Sequence, residues 1–220
     1  LHLYKKIFEK ARQGFSSDTG GQTMKNWWKA FLGAFILIGL IAWGWWRFAP
    51  YSFHGMVMQS PEPAPDFTLL SKDGPVSLSD FRGKYVLLYF GYTFCPDVCP
   101  ATLANLAQAL HQIGRGAERV QVIMVSVDPE RDTPEKIGEY VAHFDSSFIG
   151  LSGDPKDIAR IASLYGIFYE KEDVAGAAGY LVTHTASVRV IDPEGRLKLI
   201  WPFGATPDEI AQDLKFLLRR

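Results

Sequence analysis

Polar and apolar positions divide the chain into distinct stretches. Residues 1–23 are polar and show neither a helical nor a strand period. Ala30 to Trp46, AFLGAFILIGLIAWGWW, carries no charge. With Trp27 and Trp28 it makes an apolar run of about 20 residues broken only by Lys29, the length of one membrane-spanning helix. Tyr51 to Pro65 lacks a period and ends in SPEPAP (60–65). Each proline there also restricts its predecessor, which predicts an extended tether. Beyond it, short apolar runs alternate with amphipathic ones.

Phe67–Leu70 reads as a short strand, and Lys72–Pro75 as a turn. YVLLYF (85–90) and VQVIMVSV (120–127) are unbroken apolar runs, as expected of strands buried on both faces. Leu103, Leu106, Ala107 and Leu110 follow a helical period in a helix ending near Ile113. Thr133-Pro134, Asp154-Pro155 and Thr206-Pro207 each place a capping residue before a proline at the first helical position, so three more helices start there. SFIGLSG (147–153) is another strand. TASVRVID (185–192) and RLKLIW (196–201) form a hairpin around Pro193-Glu194-Gly195. The order β-β-α-β-α-β-α-β-β-α predicts an α/β domain, a mixed sheet with helices on both faces. The expected organisation is a leading segment 1–26, a membrane anchor 27–48, a tether 49–65 and the α/β domain 66–220.

Charge sharpens this division. Residues 1–50 hold seven Lys/Arg and two acids, whereas the remainder holds 16 basic and 22 acidic residues. A mildly acidic domain argues against nucleic acid as a partner and suits a basic protein surface. Six of the seven basic residues precede the apolar run, which predicts a cytoplasmic amino end and an exported domain. Tryptophans at both ends of the run suit the headgroup layers. RFAPYSFHG after Trp46 offers no cleavage site of the small-x-small kind, so the helix is expected to remain as a single anchor in the cytoplasmic membrane. Met24-Lys25 resembles a start, and residues 1–23 read either as an upstream extension or as a cytoplasmic tail.

The chemistry centres on GYTFCPDVCP (91–100), which contains both cysteines of the chain, Cys95 and Cys99. Cys95 falls between the carboxyl end of a central strand and the amino end of a helix, where backbone N–H groups favour a thiolate. Two soft sulfurs on one helical face suit Cu(I) or part of a zinc site, usually with a third donor. His184 directly precedes the 185–192 strand. If that strand runs antiparallel to the central one, His184 reaches the same edge as Cys95. His54 lies in the tether, while His111 and His143 fall late in helices. In an exported compartment the two thiols also form a disulfide unless reduced or ligated. Metal binding and thiol–disulfide exchange therefore both stand as readings.

FGYTFCPDVCP (90–100), VSVDPERDTPE (125–135) and YLVTHTASVRVIDPEG (180–195) resemble, in order, the motifs of the Sco/SenC proteins. PDFTL (65–69) and LSDFRGK (78–84) match as well. The resemblance covers about Ser52 to Arg220. It implies a thioredoxin-like fold, and a membrane-anchored copper chaperone that serves the second subunit of cytochrome c oxidase by delivering copper, by reducing cysteines, or both. It implies Cu(I) or Cu(II) on Cys95, Cys99 and His184, with Cys95 and Cys99 also a redox-active pair. It suggests a part in metal transfer or partner docking for Asp128 and Asp132. Family members often carry Asp before this histidine, whereas here it is Thr183. A carboxylate there would orient the imidazole. An extracytoplasmic thiol–disulfide oxidoreductase, which needs only Cys95 and Cys99, is the enzyme alternative.

Two further stretches invite a metal or motion. His54, Met56 and Met58 alternate as in a short strand, although thioethers beside an imidazole also attract copper. KEDVAGAAGY (171–180) reads as a flexible loop that lets His184 swing towards or away from the sulfurs.

Overall fold

The computed structural model describes residues 27–48, 50–173 and 179–219. The leading segment 1–26 lies outside the described residues. Two units are present, Leu1–Tyr51 and Ser52–Arg220.

In the first unit, α1 spans Trp27–Phe48. Its window Trp27–Trp45 has a mean hydropathy of 1.6 and none of it is buried in protein, so α1 is long and apolar enough to cross a membrane. At about 1.5 Å per residue, 22 residues cover the hydrocarbon core.

The second unit is built on a six-stranded mixed sheet. Its strands are β1 (Met56–Val57), β4 (Tyr85–Gly91), β5 (Val120–Ser126), β6 (Ile149–Leu151), β9 (Val188–Ile191) and β10 (Leu197–Trp201), in the order β1-β10-β9-β4-β5-β6. β4, β5 and β6 are parallel, whereas β9 is antiparallel to β4 and to β10. Every residue of β4 and β5 is buried, which explains their unbroken apolar runs. β2 (Thr68–Ser71) and β3 (Gly74–Ser77) form a separate hairpin.

The helices are α2 (Val98–Ile113), α3 (Pro134–Ala142), α4 (Pro155–Leu164) and α5 (Pro207–Leu217). Thr133, Asp154 and Thr206 cap α3, α4 and α5 through side-chain oxygens, each with proline next in sequence, as predicted. Successive residues of β4 show that both faces of the sheet are covered. Tyr89 reaches Cys99 in α2, and Phe90 turns the other way to pack on Tyr165 beside α4.

Three expectations change. First, residues 53–65 do not form a free tether. His54 bonds to Asp213, Met58 N–H to the Lys198 carbonyl, Leu197 N–H to the Glu62 carbonyl and Ala64 N–H to the Gly195 carbonyl. The backbone of β10 had edge groups left to satisfy, and this segment satisfies them. His54 is thereby tied to a carboxylate, and Met56 is exposed on β1. Second, the strand expected over 185–192 is shorter. It is preceded by a second hairpin, β7 (Tyr169–Asp173) paired with β8 (Tyr180–His184). Third, the ends of the expected 171–180 loop belong to those strands. Its centre, 174–178, lies outside the described residues.

Candidate metal centre

β4 ends at Gly91, and the chain then turns through Tyr92–Asp97 into α2. α2 lacks the side-chain cap of α3, α4 and α5, because Asp97 accepts no such bond. Instead the Cys99 N–H points to the sulfur of Cys95 at 3.4 Å. A helix amino end thus faces a thiol, an arrangement that favours the thiolate. Cys99 is buried in α2 and Cys95 is partly exposed. The close approach needs glycine at 91. A Cβ there would lie 2.9 Å from the Cys99 sulfur and 2.8 Å from the Tyr89 ring.

His184 ends β8, which pairs with β7 so that His184 sits opposite Tyr169. β9 begins opposite Tyr89, near the carboxyl end of β4, so the strand after His184 starts at the edge that carries the cysteines. The ring Nε2 lies 3.4 Å from the Cys99 sulfur. The ligand atoms of Cys95, Cys99 and His184 all lie within 4.8 Å of one another. The rings of Tyr89 and Tyr92 meet the imidazole edge-on, with centroids 6.1 and 5.9 Å away. Beside the cluster, a cavity of about 320 Å³ opens between Cys95, Pro96, His184 and Phe203.

The two thiols are electrostatically unequal. A hydrogen bond from Cys99 holds the Cys95 thiol well below its ordinary value, against the cost of its own burial, with help from His184 and the backbone N–H groups. The same bond, together with burial, pushes the Cys99 thiol up. One sulfur is thus a ready thiolate and the other a guarded thiol. Tyr89 donates its hydroxyl to Cys99 at 3.4 Å, and burial pushes the phenol up, so it remains a donor.

The donor atoms of the cluster have few other partners. His184 Nδ1 is buried with no hydrogen-bond partner among the described residues, and Nε2 faces a sulfur. A half-buried imidazole whose buried Nδ1 has no partner among the described residues requires an explanation. Two sulfurs and an imidazole are the ligands that Cu(I) prefers, so the residues fit.

The acidic pair does not form a docking surface. Asp128 and Asp132 are both 0% exposed. Asp132 accepts from Thr93 N–H at 2.9 Å, Thr93 Oγ1 and Ser126 Oγ. Asp128 accepts from Tyr180 Oη at 2.7 Å and from Arg131 Nε. Carboxylates buried and bonded in this way have no face for a partner. The concern over Thr183 also changes. Neighbours on a strand point to opposite faces, and Thr183 donates to Glu172 at 2.7 Å on the face away from His184. Sequence reasoning missed the roles of Tyr89 and Tyr92. The only signal was a pair of hydroxyl-bearing rings in a buried strand end, which must find partners.

The SCO1/SenC family model matches residues 57–219. The bovine (Bos taurus) mitochondrial protein SCO2 homolog is 38% identical over 133 residues, 59% of this chain and 50% of that protein. The chain thus spans about half the length of that curated relative. Among solved structures, the apo Sco1 protein of Thermus thermophilus has a TM-score of 0.70 at 45% identity, covering 77% of this chain and 99% of its own. Copper-bound ScoI of Bradyrhizobium japonicum has a TM-score of 0.65 at 38% identity, covering 71% and 99%. The thioredoxin-like α/β fold expected from the sequence is the fold of these proteins.

Proposed function

The chain belongs to the SCO1/SenC family, and from that premise we propose that it carries copper for the assembly of cytochrome c oxidase, with Cys95, Cys99 and His184 as the ligands. Sco proteins are a family of cytochrome c oxidase assembly proteins, and the Bradyrhizobium relative holds copper. One observation carries the ligand assignment. Two thiols and an otherwise unpartnered imidazole meet within 4.8 Å, beside an open cavity.

Copper is cargo in this reading. The Cys95 thiolate is the exposed sulfur and makes first contact with the incoming ion. Cys99 must give up its proton, and His184 supplies the third donor from a separate strand. Release runs by ligand exchange with acceptor cysteines approaching through the cavity, Cys95 again being the accessible sulfur. The acceptor is the second subunit of the oxidase. α1 anchors the protein in the cytoplasmic membrane, with the amino end inside and the copper domain outside. The excess of basic residues before the helix supports that orientation.

The asymmetry of the thiols favours a second activity on the same residues. The Cys95 thiolate attacks a partner disulfide and forms a mixed disulfide, expelling one partner thiolate. Cys99 then loses its proton and attacks Cys95, which leaves a reduced partner dithiol and a Cys95–Cys99 disulfide.

Competition titration of Cu(I) on the full chain in detergent tests the ligand set. Cys95→Ala and Cys99→Ala are expected to abolish tight binding, and His184→Ala to weaken it by more than about a hundredfold, since losing a ligand costs more than losing a group that supports one. Full affinity in the His184 variant would reject the third ligand. Reductase turnover is expected to survive in that variant and to vanish without either cysteine.

A further inference from the structure

The stretch DPERD, 128–132, touches both elements that carry the sulfurs and the imidazole. On one side Asp132 receives the N–H and hydroxyl of Thr93, two residues before Cys95. On the other, Asp128 receives the hydroxyl of Tyr180 at 2.7 Å, at the start of the strand that ends in His184. Arg131 joins the two sides. Its Nη1 donates to the Tyr180 carbonyl at 3.0 Å, its Nε to Asp128, and its guanidinium lies 3.7 Å above the Tyr180 ring centroid and 5.1 Å from that of Phe94. Glu130 adds an ion pair to Lys171 on β7 at 2.7 Å.

Strand periodicity carries this grip to the ligand. Tyr180, Val182 and His184 share one face of β8. Along that face Tyr180 meets Asp128 and Arg131, Val182 is buried with its N–H on the Tyr92 hydroxyl at 3.2 Å, and His184 meets Cys99. Past His184, Thr185 N–H bonds the Phe168 carbonyl at 2.9 Å, and Arg189 holds Ser187. Yet among the described residues β7–β8 makes no ladder with the central sheet. Apart from the short chain connection to β9, side-chain contacts therefore set how far the imidazole stands from the sulfurs.

We propose that the 128–132 turn is an internal clamp that sets the spacing between the cysteine turn and the His184 strand, with Arg131 and Tyr180 as positioning residues for the third copper ligand. The inference rests on His184 being that ligand. It gives buried Asp128 and Asp132 a purpose other than docking: one holds each half of the site.

The test is a double-mutant cycle on the full chain in detergent, read by Cu(I) competition. Arg131→Met is expected to weaken Cu(I) binding about tenfold, the lower range for a group supporting a ligand. In the His184→Ala background the same change is expected to cost less than about twofold, because the ligand it positions is gone. Amide exchange of the metal-free protein is the second readout. Val182 and His184 should exchange faster in Arg131→Met, while the amides of Cys95 and Cys99 keep their rates. Tyr180→Phe keeps the ring and removes only the Asp128 bond. It is expected to lose about threefold in affinity, and it carries the same cycle if Arg131→Met does not fold. Equal losses in both backgrounds, or unchanged affinity and exchange, overturn the clamp while leaving the ligand assignment standing. Full affinity in His184→Ala alone removes the ligand assignment and the clamp with it.

Discussion

The two halves of the cluster are held in different ways. The cysteine turn continues β4, a strand buried along its whole length in the middle of a six-stranded sheet, and enters a 16-residue helix. Its sulfurs lie in the turn and first helical residues that follow directly from that strand, joined by the Cys99 N–H to the Cys95 sulfur. His184 sits on a two-stranded hairpin whose β7 strand is exposed at four of five positions. That hairpin meets the rest of the domain through side chains: Tyr92, Asp128, Arg131 and Tyr180. A ligand built into the core is as stable as the fold, whereas one held by a side-chain network has its own, smaller stability. Under the proposed role in carrying copper, this inequality allows one ligand to be loosened without unfolding the others.

The largest effect that would break this contrast is at Gly91. A methyl group there runs into the Cys99 sulfur and the Tyr89 ring, with Met124 at 3.0 Å. Gly91→Ala is expected to destabilise the fold by about 1–3 kcal/mol, the usual cost of overpacking, and to weaken copper binding as well. His184→Ala, by contrast, should leave the denaturation midpoint nearly unchanged. A stable Gly91→Ala protein, or an unstable His184→Ala one, would erase the difference between the two halves.

The next effect is in pH. Cys95 is lowered and Cys99 raised, so at neutral pH the free protein keeps one thiol proton of the pair, on Cys99. Copper must displace it, so affinity rises with pH by about tenfold per unit between roughly pH 6 and 8. Alkylation sharpens the same point. Cys95 is expected to react well below the ordinary thiol range and Cys99 only slowly, as peptide mapping after iodoacetamide would show. Equal rates at the two cysteines would contradict the asymmetry.

The smallest effect belongs to Thr183. Its side chain bonds Glu172 on the outer face of β8, so Thr183→Ala should change Cu(I) affinity by less than about twofold. A larger loss would mean that residue 183 reaches the imidazole after all and that the inner face of the hairpin is not the whole connection.

Much of this could be read along the chain. The runs at 85–90 and 120–127 announced two central strands, because a strand buried on both faces must be apolar throughout. Threonine or aspartate before proline located three helix starts, because capping is chemistry between near neighbours. The cysteine pair at the end of one such strand marked the site. The β7–β8 hairpin was not legible. YEKED is almost entirely polar and exposed, and the residues that fasten its hairpin to the domain, Tyr92, Asp128 and Arg131, are far away in the chain. Neither was the burial of Asp128 and Asp132, for which the resemblance suggested metal transfer or partner docking. A carboxylate is buried only where distant donors meet it, here Thr93 and Tyr180.

The sequence by itself therefore determined the central strands, the main helices, the family and the residue types of the cluster, because short-range sterics, capping and hydrophobic period act between neighbours. Tertiary structure alone decided that His184 stands 3.4 Å from Cys99, that Thr183 faces away, and that an acidic stretch is an internal fastening. Those outcomes depend on contacts between groups as many as 85 residues apart, and no local pattern encodes where such groups meet.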